Sequence, residues 1–259
     1  MANQSISVIV PTYNHENFIA DALQGIVQQD IFDSVKVFVS DDASSDQTFK
    51  IASEYSDRYP NIYTFRNLSN LGLLKNYEEL VKRCDTEYLA IIEGDDLWIA
   101  PDKLRKQLQF LQENKQVNGC FSEFYLLDET SGVFPKRPHW ANGKYRILNL
   151  LDILYGNPSA TFSTCCYRTS AFSKALANLK GSNVADWATN MLVAESGGFG
   201  FVPGAAVVYR VHENGLWNGL APARQNEVAM ESVEKVFALL PDRYSSFFQD
   251  FLNNRMMPA

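Results

Sequence analysis

The chain has no apolar run that could cross a bilayer. Its N-terminal apolar stretch, Ile6 to Val10, is far shorter than the ~20 residues a spanning helix needs. Met1 to Gln4 carry none of the basic residues that open a secretory leader. The expectation is therefore a chain without signal peptide or membrane span, cytoplasmic, with any membrane contact peripheral at the inner face. Cysteine is scarce: Cys84, Cys120, Cys165 and Cys166 show no CxxC spacing, and the adjacent pair is poorly placed to bridge with itself, which suits a reduced compartment. Positive charge is in deficit. With 23 Lys and Arg against 30 Asp and Glu, the formal charge is -7, which argues against general affinity for nucleic-acid phosphate. An anionic ligand would then need a local device such as a metal ion. Glycine is missing where a nicotinamide-binding Rossmann sheet requires it. The residues after the first apolar run are Pro-Thr-Tyr-Asn-His-Glu-Asn, with no GxGxxG. No internal repeat or low-complexity tract is present.

What is present is an alternation of short β-branched runs with amphipathic segments, the pattern of βαβ units around a mostly parallel sheet. Strands are predicted at SISVIVP, VKVFVS, IYTFR and YLAIIE, and helices over Glu16–Gln28, Asp46–Ser56, Leu71–Cys84 and Pro101–Glu113, with Pro101 suited to a first helical turn. Further on, Cys120–Leu127, Phe162–Arg168 and Val202–Val211 read as strands, and Ile147–Tyr155, Asp186–Ser196 and Glu227–Leu240 as helices. At 259 residues the chain fits one large α/β domain. A boundary near Glu129 divides it into two parts of one domain, since no flexible linker separates them.

Each acidic cluster of the first half falls at the carboxyl end of a predicted strand, where open α/β sheets bind ligands. Pro11 ends the first strand and delivers Tyr13 into that crevice, where the ring either stacks on a nucleobase or covers the sheet edge. The second strand ends in Ser40-Asp41-Asp42-Ala43-Ser44-Ser45-Asp46. Asp46 or Ser45 suits a helix cap, whereas Asp41 and Asp42 lie too early to cap and call for a donor or cation, such as a base N–H or ribose hydroxyls. The fourth strand runs into Glu93-Gly94-Asp95-Asp96-Leu97-Trp98. Hard cations in phosphate sites are held by one or two carboxylates plus the substrate's phosphates, and Gly94 permits a close approach.

VIVPTYN, VSDDASSD and EGDDLW with PDKL following together resemble glycosyltransferase family 2 of the GT-A fold. The match continues through Asn70-Leu71-Gly72 with Lys75-Asn76, Ala185-Asp186-Trp187 and Tyr209-Arg210-Val211-His212-Glu213-Asn214, so it spans roughly residues 5 to 215. The resemblance implies an α/β GT-A fold, with a Rossmann-like, mostly parallel sheet flanked by helices. It implies a glycosyltransferase domain over 1–221, with a nucleotide-sugar half at about 1–128 and an acceptor half at 129–221, followed by a C-terminal helical extension over 222–259. It also implies an inverting transfer from a nucleoside-diphosphate sugar, with uridine favoured over thymidine or guanosine, to a hydroxyl of a saccharide, lipid-linked saccharide or glycoprotein in cell-surface polysaccharide or glycoconjugate synthesis. Tyr13 would stack on the base, Asp42 would hydrogen-bond it and Pro11 would line the pocket. Asp96 would ligate Mn2+ or Mg2+, Asp95 would face the ribose or sugar, and Lys75 would stand near the donor.

Asp186 would be the general base. Ala185 departs from the family there, where an acidic residue is usual. His212 is read as a metal or diphosphate ligand, with a structural histidine as its alternative. The segment from Glu213 to Gly219, with Trp217, suits a lid, and Lys136–Trp140 is either an acceptor contact or a solvated loop. A non-catalytic, donor-binding relative is the rival of another class, opposed by the presence of Asp42, Asp95, Asp96 and Asp186. A sugar-phosphate nucleotidyltransferase would need a Gly-rich basic loop near the N-terminus, which is missing.

Overall fold

The computed structural model describes residues 6–129, 131, 143–154, 156–179, 186–213 and 215–255. Nine strands form one mixed sheet: β1 Ile6–Thr12, β2 Val35–Asp41, β3 Ile62–Arg66, β4 Tyr88–Ile91, β5 Leu97–Trp98, β6 Gly119–Asp128, β7 Arg146–Leu148, β8 Cys165–Arg168 and β9 Phe199–Val211. The strand order is β3-β2-β1-β4-β8-β6-β9-β5, with β7 paired to β9. Strands β3, β2, β1 and β4 are parallel, and β8 runs against both of its neighbours, β4 and β6.

The order explains the location of the cleft. From β1 the chain winds outward to β3 and then returns to lay β4 on the other side of β1, so the winding reverses between β1 and β4. At such a switch point the connections leave the strand ends in opposite directions and a crevice opens beyond their carboxyl ends. The end of β1 carries Tyr13, and the end of β4 leads into Gly94, Asp95 and Asp96.

The β-branched runs of β1, β2 and β4 are buried on both faces, as a sheet covered on two sides requires. On one side, α1 Ile19–Val27, α2 Thr48–Arg58 and α4 Lys103–Glu113 contribute Leu23, Ile26, Ala52 and Leu104 to a core with Val8, Val10 and Val37. On the other, α3 Leu73–Val81, α5 Leu150–Leu154, α6 Thr169–Asn178 and α7 Asp186–Gly197 close over Ile9, Ile91, Phe121 and Tyr167. Helices α8 Pro222–Leu239 and α9 Ser245–Arg255 bury Val233, Val236 and Phe251 in that second cluster, so the helical extension packs onto the domain.

Two element expectations need correction. Phe162–Thr164 forms a 3-10 turn before β8, because the Thr161 hydroxyl accepts from Ser163 N and tightens the chain there. The helix expected at Ile147–Tyr155 is a short strand, β7, followed by α5; Asn149 side-chain oxygen accepts from Leu151 N and Asp152 N and starts the helix late. The two parts divided near Glu129 share one sheet, since β6 ends at Asp128 and pairs along its length with β9. Cys120, Cys165 and Cys166 are buried free thiols and Cys84 is half-buried. No helix is long and apolar enough to cross a membrane among the described residues.

Candidate active site

The floor of the cleft is built where β1 and β4 end. Pro11 is buried and its carbonyl accepts from Gly94 N at 3.1 Å, which fixes the acidic turn against β1. A Cβ on Gly94 would sit 2.5 Å from Thr12 Oγ1, so only glycine allows this approach. Tyr13 presents its ring to solvent, 45% exposed. Three non-glycine residues with left-handed backbone, Asn14 (φ 55°), Ala43 (φ 61°) and Ala160 (φ 60°), stand in three loops around this cleft. Strain of that kind persists where surrounding contacts over-determine the backbone, and it concentrates at functional sites.

The two carboxylates of the second loop do different work. Asp42, 3% exposed, accepts from Asn67 Nδ2 at 2.8 Å and Leu71 N at 2.9 Å on one oxygen, and from Gly72 N at 2.9 Å on the other. Its carboxylate is thus spent on pinning the Asn70-Leu71-Gly72 loop, with Gly72 at φ 83°. Asp41 Oδ2 accepts from Ser44 N at 3.1 Å and faces Arg66 Nε at 3.3 Å, whereas Asp41 Oδ1 is buried with no hydrogen-bond partner among the described residues. Burial raises the Asp41 pKa, consistent with an acceptor still waiting for a donor. The unpartnered oxygen of this turn, Asp41 Oδ1, is fully buried beneath the loop. The N-cap of α2 is Gln47, which caps nothing with its side chain; Asp46, one residue earlier, accepts from Thr48 N at 2.9 Å.

A similar division occurs in the acidic turn after β4. Asp96 is 1% exposed; Oδ1 accepts from Arg210 N at 3.0 Å and Oδ2 from Thr161 Oγ1 at 3.1 Å. Burial, then the charges of Asp95 and Glu93, push its pKa well above the ordinary carboxylate value. Asp95 is the opposite case. Although burial alone would raise its pKa, His15 and His212 hold it below the usual range. Its Oδ2 lies 3.1 Å from His212 Nε2 and 3.6 Å from His15 Nε2. Asp95 is thus the carboxylate of this turn that meets His212, while Asp96 faces Arg210 N and Thr161.

Glu93, two residues earlier, accepts from Tyr77 OH and Thr161 Oγ1, both at 2.8 Å, and its pKa is pushed up to about 7 by burial and then by the charge of Asp95. Thr161 has one proton for two carboxylates, Glu93 and Asp96, so one of them is best accommodated protonated. Opposite stands Asp186, half-buried at the start of α7. Burial raises its pKa to about 6, opposed by backbone donors of the helix start and by Asn157, whose Nδ2 donates to Asp186 Oδ2 at 2.7 Å. Its charge is felt by Glu93 and by Tyr209, so one cleft contains them all. Lys75 is exposed on the first turn of α3 and makes no hydrogen bond or ion pair with described residues. Ala185, Asn214 and Lys136–Trp140 lie outside the described residues.

Among the described residues no group of three or more His, Cys, Asp or Glu side chains could hold a metal ion. Asp95 Oδ2 and His212 Nε2, 3.1 Å apart, are two protein groups only, so a cation there would have to draw its remaining ligands from a bound diphosphate.

A mixed sheet whose winding reverses over an acidic cleft, flanked by helices on both faces, is the α/β architecture of the GT-A fold. The chain belongs to Glycosyl transferase family 2, whose model matches residues 7–176. It is similar to an uncharacterized protein of Mycobacterium tuberculosis, Rv1520, 31% identical over 216 residues, or 82% of this chain and 60% of that protein. It is also similar to the minor teichoic acid biosynthesis protein GgaB of Bacillus subtilis, 26% identical over 82% of this chain and 24% of that protein. The chain thus spans less than two thirds of the length of these relatives. Among solved structures it resembles S. aureus TarS 1-349 in complex with UDP-GlcNAc, with a TM-score of 0.66 and 19% identity over 90% of this chain and 72% of that one. It also resembles the mannosyltransferase PcManGT of Pyrobaculum calidifontis in complex with GDP-Man and Mn2+, with a TM-score of 0.59 and 14% identity over 98% of this chain and 81% of that one.

Proposed function

We propose that this protein transfers a sugar from a nucleoside-diphosphate sugar, with uridine as the favoured base, to an acceptor hydroxyl with inversion at the anomeric carbon. The observation that carries this reading is the division of labour among the carboxylates. Asp95 is held ionised against two imidazoles, and Asp186, with its pKa at about 6, stands across the same cleft with no cation beside it among the described residues. One carboxylate then serves the diphosphate and the other serves a proton.

In this reading the base stacks on Tyr13 with Pro11 beneath it and hydrogen-bonds Asp42, which also holds the loop that shapes the pocket. Asp95 and His212 would hold a divalent cation, Mn2+ or Mg2+, which supplies charge neutralisation for the departing diphosphate. Lys75, exposed at the head of α3, is a supporting cation for the donor at most. Asp186 accepts the proton of the acceptor hydroxyl as its oxygen forms a bond to the anomeric carbon and the bond from that carbon to the diphosphate oxygen breaks. No side-chain nucleophile is required. Glu213–Gly219 is proposed as a lid, tied down by Asn218 Nδ2, which donates to Tyr209 OH at 3.1 Å. The similarity to GgaB, named for minor teichoic acid biosynthesis, supports a saccharide, lipid-linked saccharide or glycoprotein acceptor, which we place at the cytoplasmic face of a membrane.

A thermal-shift screen of nucleotide sugars with and without Mn2+ tests this reading, because a ligand that binds only the folded state raises stability by mass action. A rise in Tm with one nucleotide sugar, larger with Mn2+, supports it. No shift with any uridine, thymidine or guanosine diphosphate sugar overturns it.

A further inference from the structure

The turn that follows His212 is folded on itself and leaves two large apolar side chains in solvent. Gly215 N donates to His212 O at 3.0 Å and Gly219 N to Gly215 O at 2.8 Å, while the Trp217 carbonyl accepts from Leu220 N at 3.1 Å and from Gln225 Nε2 of α8 at 2.9 Å. A Cβ on Gly219 would lie 2.9 Å from Gly215 O, so the turn closes this tightly only on glycine. Despite that order, Leu216 is 73% and Trp217 39% exposed. The turn stands beside the cleft. Asn218 Nδ2 donates to Tyr209 OH at 3.1 Å, and the pKa of that half-buried phenol is raised by burial, then by the charge of Asp96, with Glu93 and Asp186 adding to it.

We propose that Trp217 is a stacking platform for the acceptor, a saccharide whose ring lies against the indole while its attacking hydroxyl reaches Asp186. The inference rests on the glycosyltransferase reading and names the acceptor side of it. A pyranose ring has an apolar face of C–H groups and a rim of hydroxyls. Trp217 offers a flat apolar surface on a backbone that is already ordered, so little entropy is lost when a ring settles on it, and Glu213, Asn218 and Tyr209 supply polar groups around it. In the proposed reading the nucleobase has Tyr13, which leaves the second exposed aromatic for the other substrate. A lipid surface is the rival occupant, and the charges oppose it. Glu213 precedes the pair, Arg224 is engaged by Glu227 at 2.8 Å and by Glu231 at 3.2 Å, and the chain carries a net charge of -7, whereas anionic leaflets attract segments with free basic groups.

The test follows the fluorine NMR signal of Trp217 in the full chain labelled with fluorotryptophan, assigned by its loss in Trp217→Phe. The probes are methyl glycosides of glucose, galactose, N-acetylglucosamine and rhamnose, then UDP, dTDP or GDP with Mn2+, and vesicles of phosphatidylglycerol, each added separately. The Trp217 signal should move with at least one glycoside. Toward that glycoside Trp217→Ala should bind about twofold to tenfold more weakly, the scale of one aromatic contact, while Trp217→Phe keeps most of the affinity and both variants keep that for the nucleotide. A Trp217 signal that no glycoside moves, whether or not a nucleotide or vesicles move it, would overturn the platform and leave the nucleotide-sugar reading standing. Unchanged glycoside affinity in Trp217→Ala would do the same. Absence of binding of all three nucleotides to the unmutated protein would overturn both.

Discussion

Asn157 Nδ2 donates to Asp186 Oδ2 across 2.7 Å, while Asn157 Oδ1 accepts from Ser159 Oγ at 2.8 Å and is itself held from behind. Ser159 Oγ in turn accepts from Asn190 Nδ2 at 2.9 Å, and Asn190 Oδ1 from Tyr167 OH at 2.6 Å. This chain of donors runs from the buried core to one oxygen of the proposed base and favours its ionised form. Asn157 is thus a positioning residue. Asn157→Ala should raise the Asp186 pKa above about 6 and move the acid limb of the pH–rate profile upward, with donor affinity unchanged. A carbon-detected NMR titration of the Asp186 carboxyl checks the shift directly.

The raised pKa of Asp186 also fixes the sign of a stability effect. A carboxyl whose pKa is about 6 in the fold and 3.8 as its ordinary value binds more protons folded than unfolded between those limits, so its contribution to stability falls as pH rises through that window. Asp186→Asn removes the penalty. The variant should melt about 2–4 °C higher than wild type at pH 7.5, on the order of 1 kcal/mol, with the gain shrinking toward pH 4. Calorimetric melts at both pH values check it.

Asp41 and Asp42 should fail in different ways. Asp41→Asn weakens the buried acceptor that Ser44 N and Arg66 share, so it should lower Tm with little change in UDP affinity. Asp42→Asn leaves the N–H groups of Leu71 and Gly72 without their shared carboxylate, so it should both lower Tm and weaken UDP binding by about tenfold. Paired melts and titrations distinguish the two.

Asp95 and Asp96 divide similarly. Asp95→Asn should remove the Mn2+ dependence of UDP binding while the protein stays folded. Asp96→Asn should chiefly destabilise the join between the acidic turn and β9, where Arg210 N donates to it. Titration of UDP with and without Mn2+, alongside melts, measures both.

The sheet was legible because β-branched runs such as Ile62–Arg66 carry their own boundaries, and strand ends place the acidic turns without any tertiary knowledge. The site was legible to the level of the loop. Within each loop the sequence could not say which of two adjacent aspartates is spent on the protein itself, since Asp42 is consumed by Leu71 and Gly72 thirty residues on, and Asp96 by Arg210 more than a hundred residues on. Asn157 left no signal, because its role depends on where α7 begins. His15 was in view inside PTYNHEN, but its proximity to Asp95 arises only when Gly94 packs beneath it. Short elements such as β5 and β7 escaped because two or three residues carry no period.

The central claim is a single in-line displacement with Asp186 as base, and proton NMR of the sugar product formed from a panel of UDP-sugars tests it most directly. The account predicts that the anomeric configuration is opposite to that of the donor, and that Asp186→Asn still binds UDP with Mn2+ but transfers about 100-fold to 10,000-fold more slowly. A product that retains the donor's configuration, or near-normal transfer by Asp186→Asn, would contradict it.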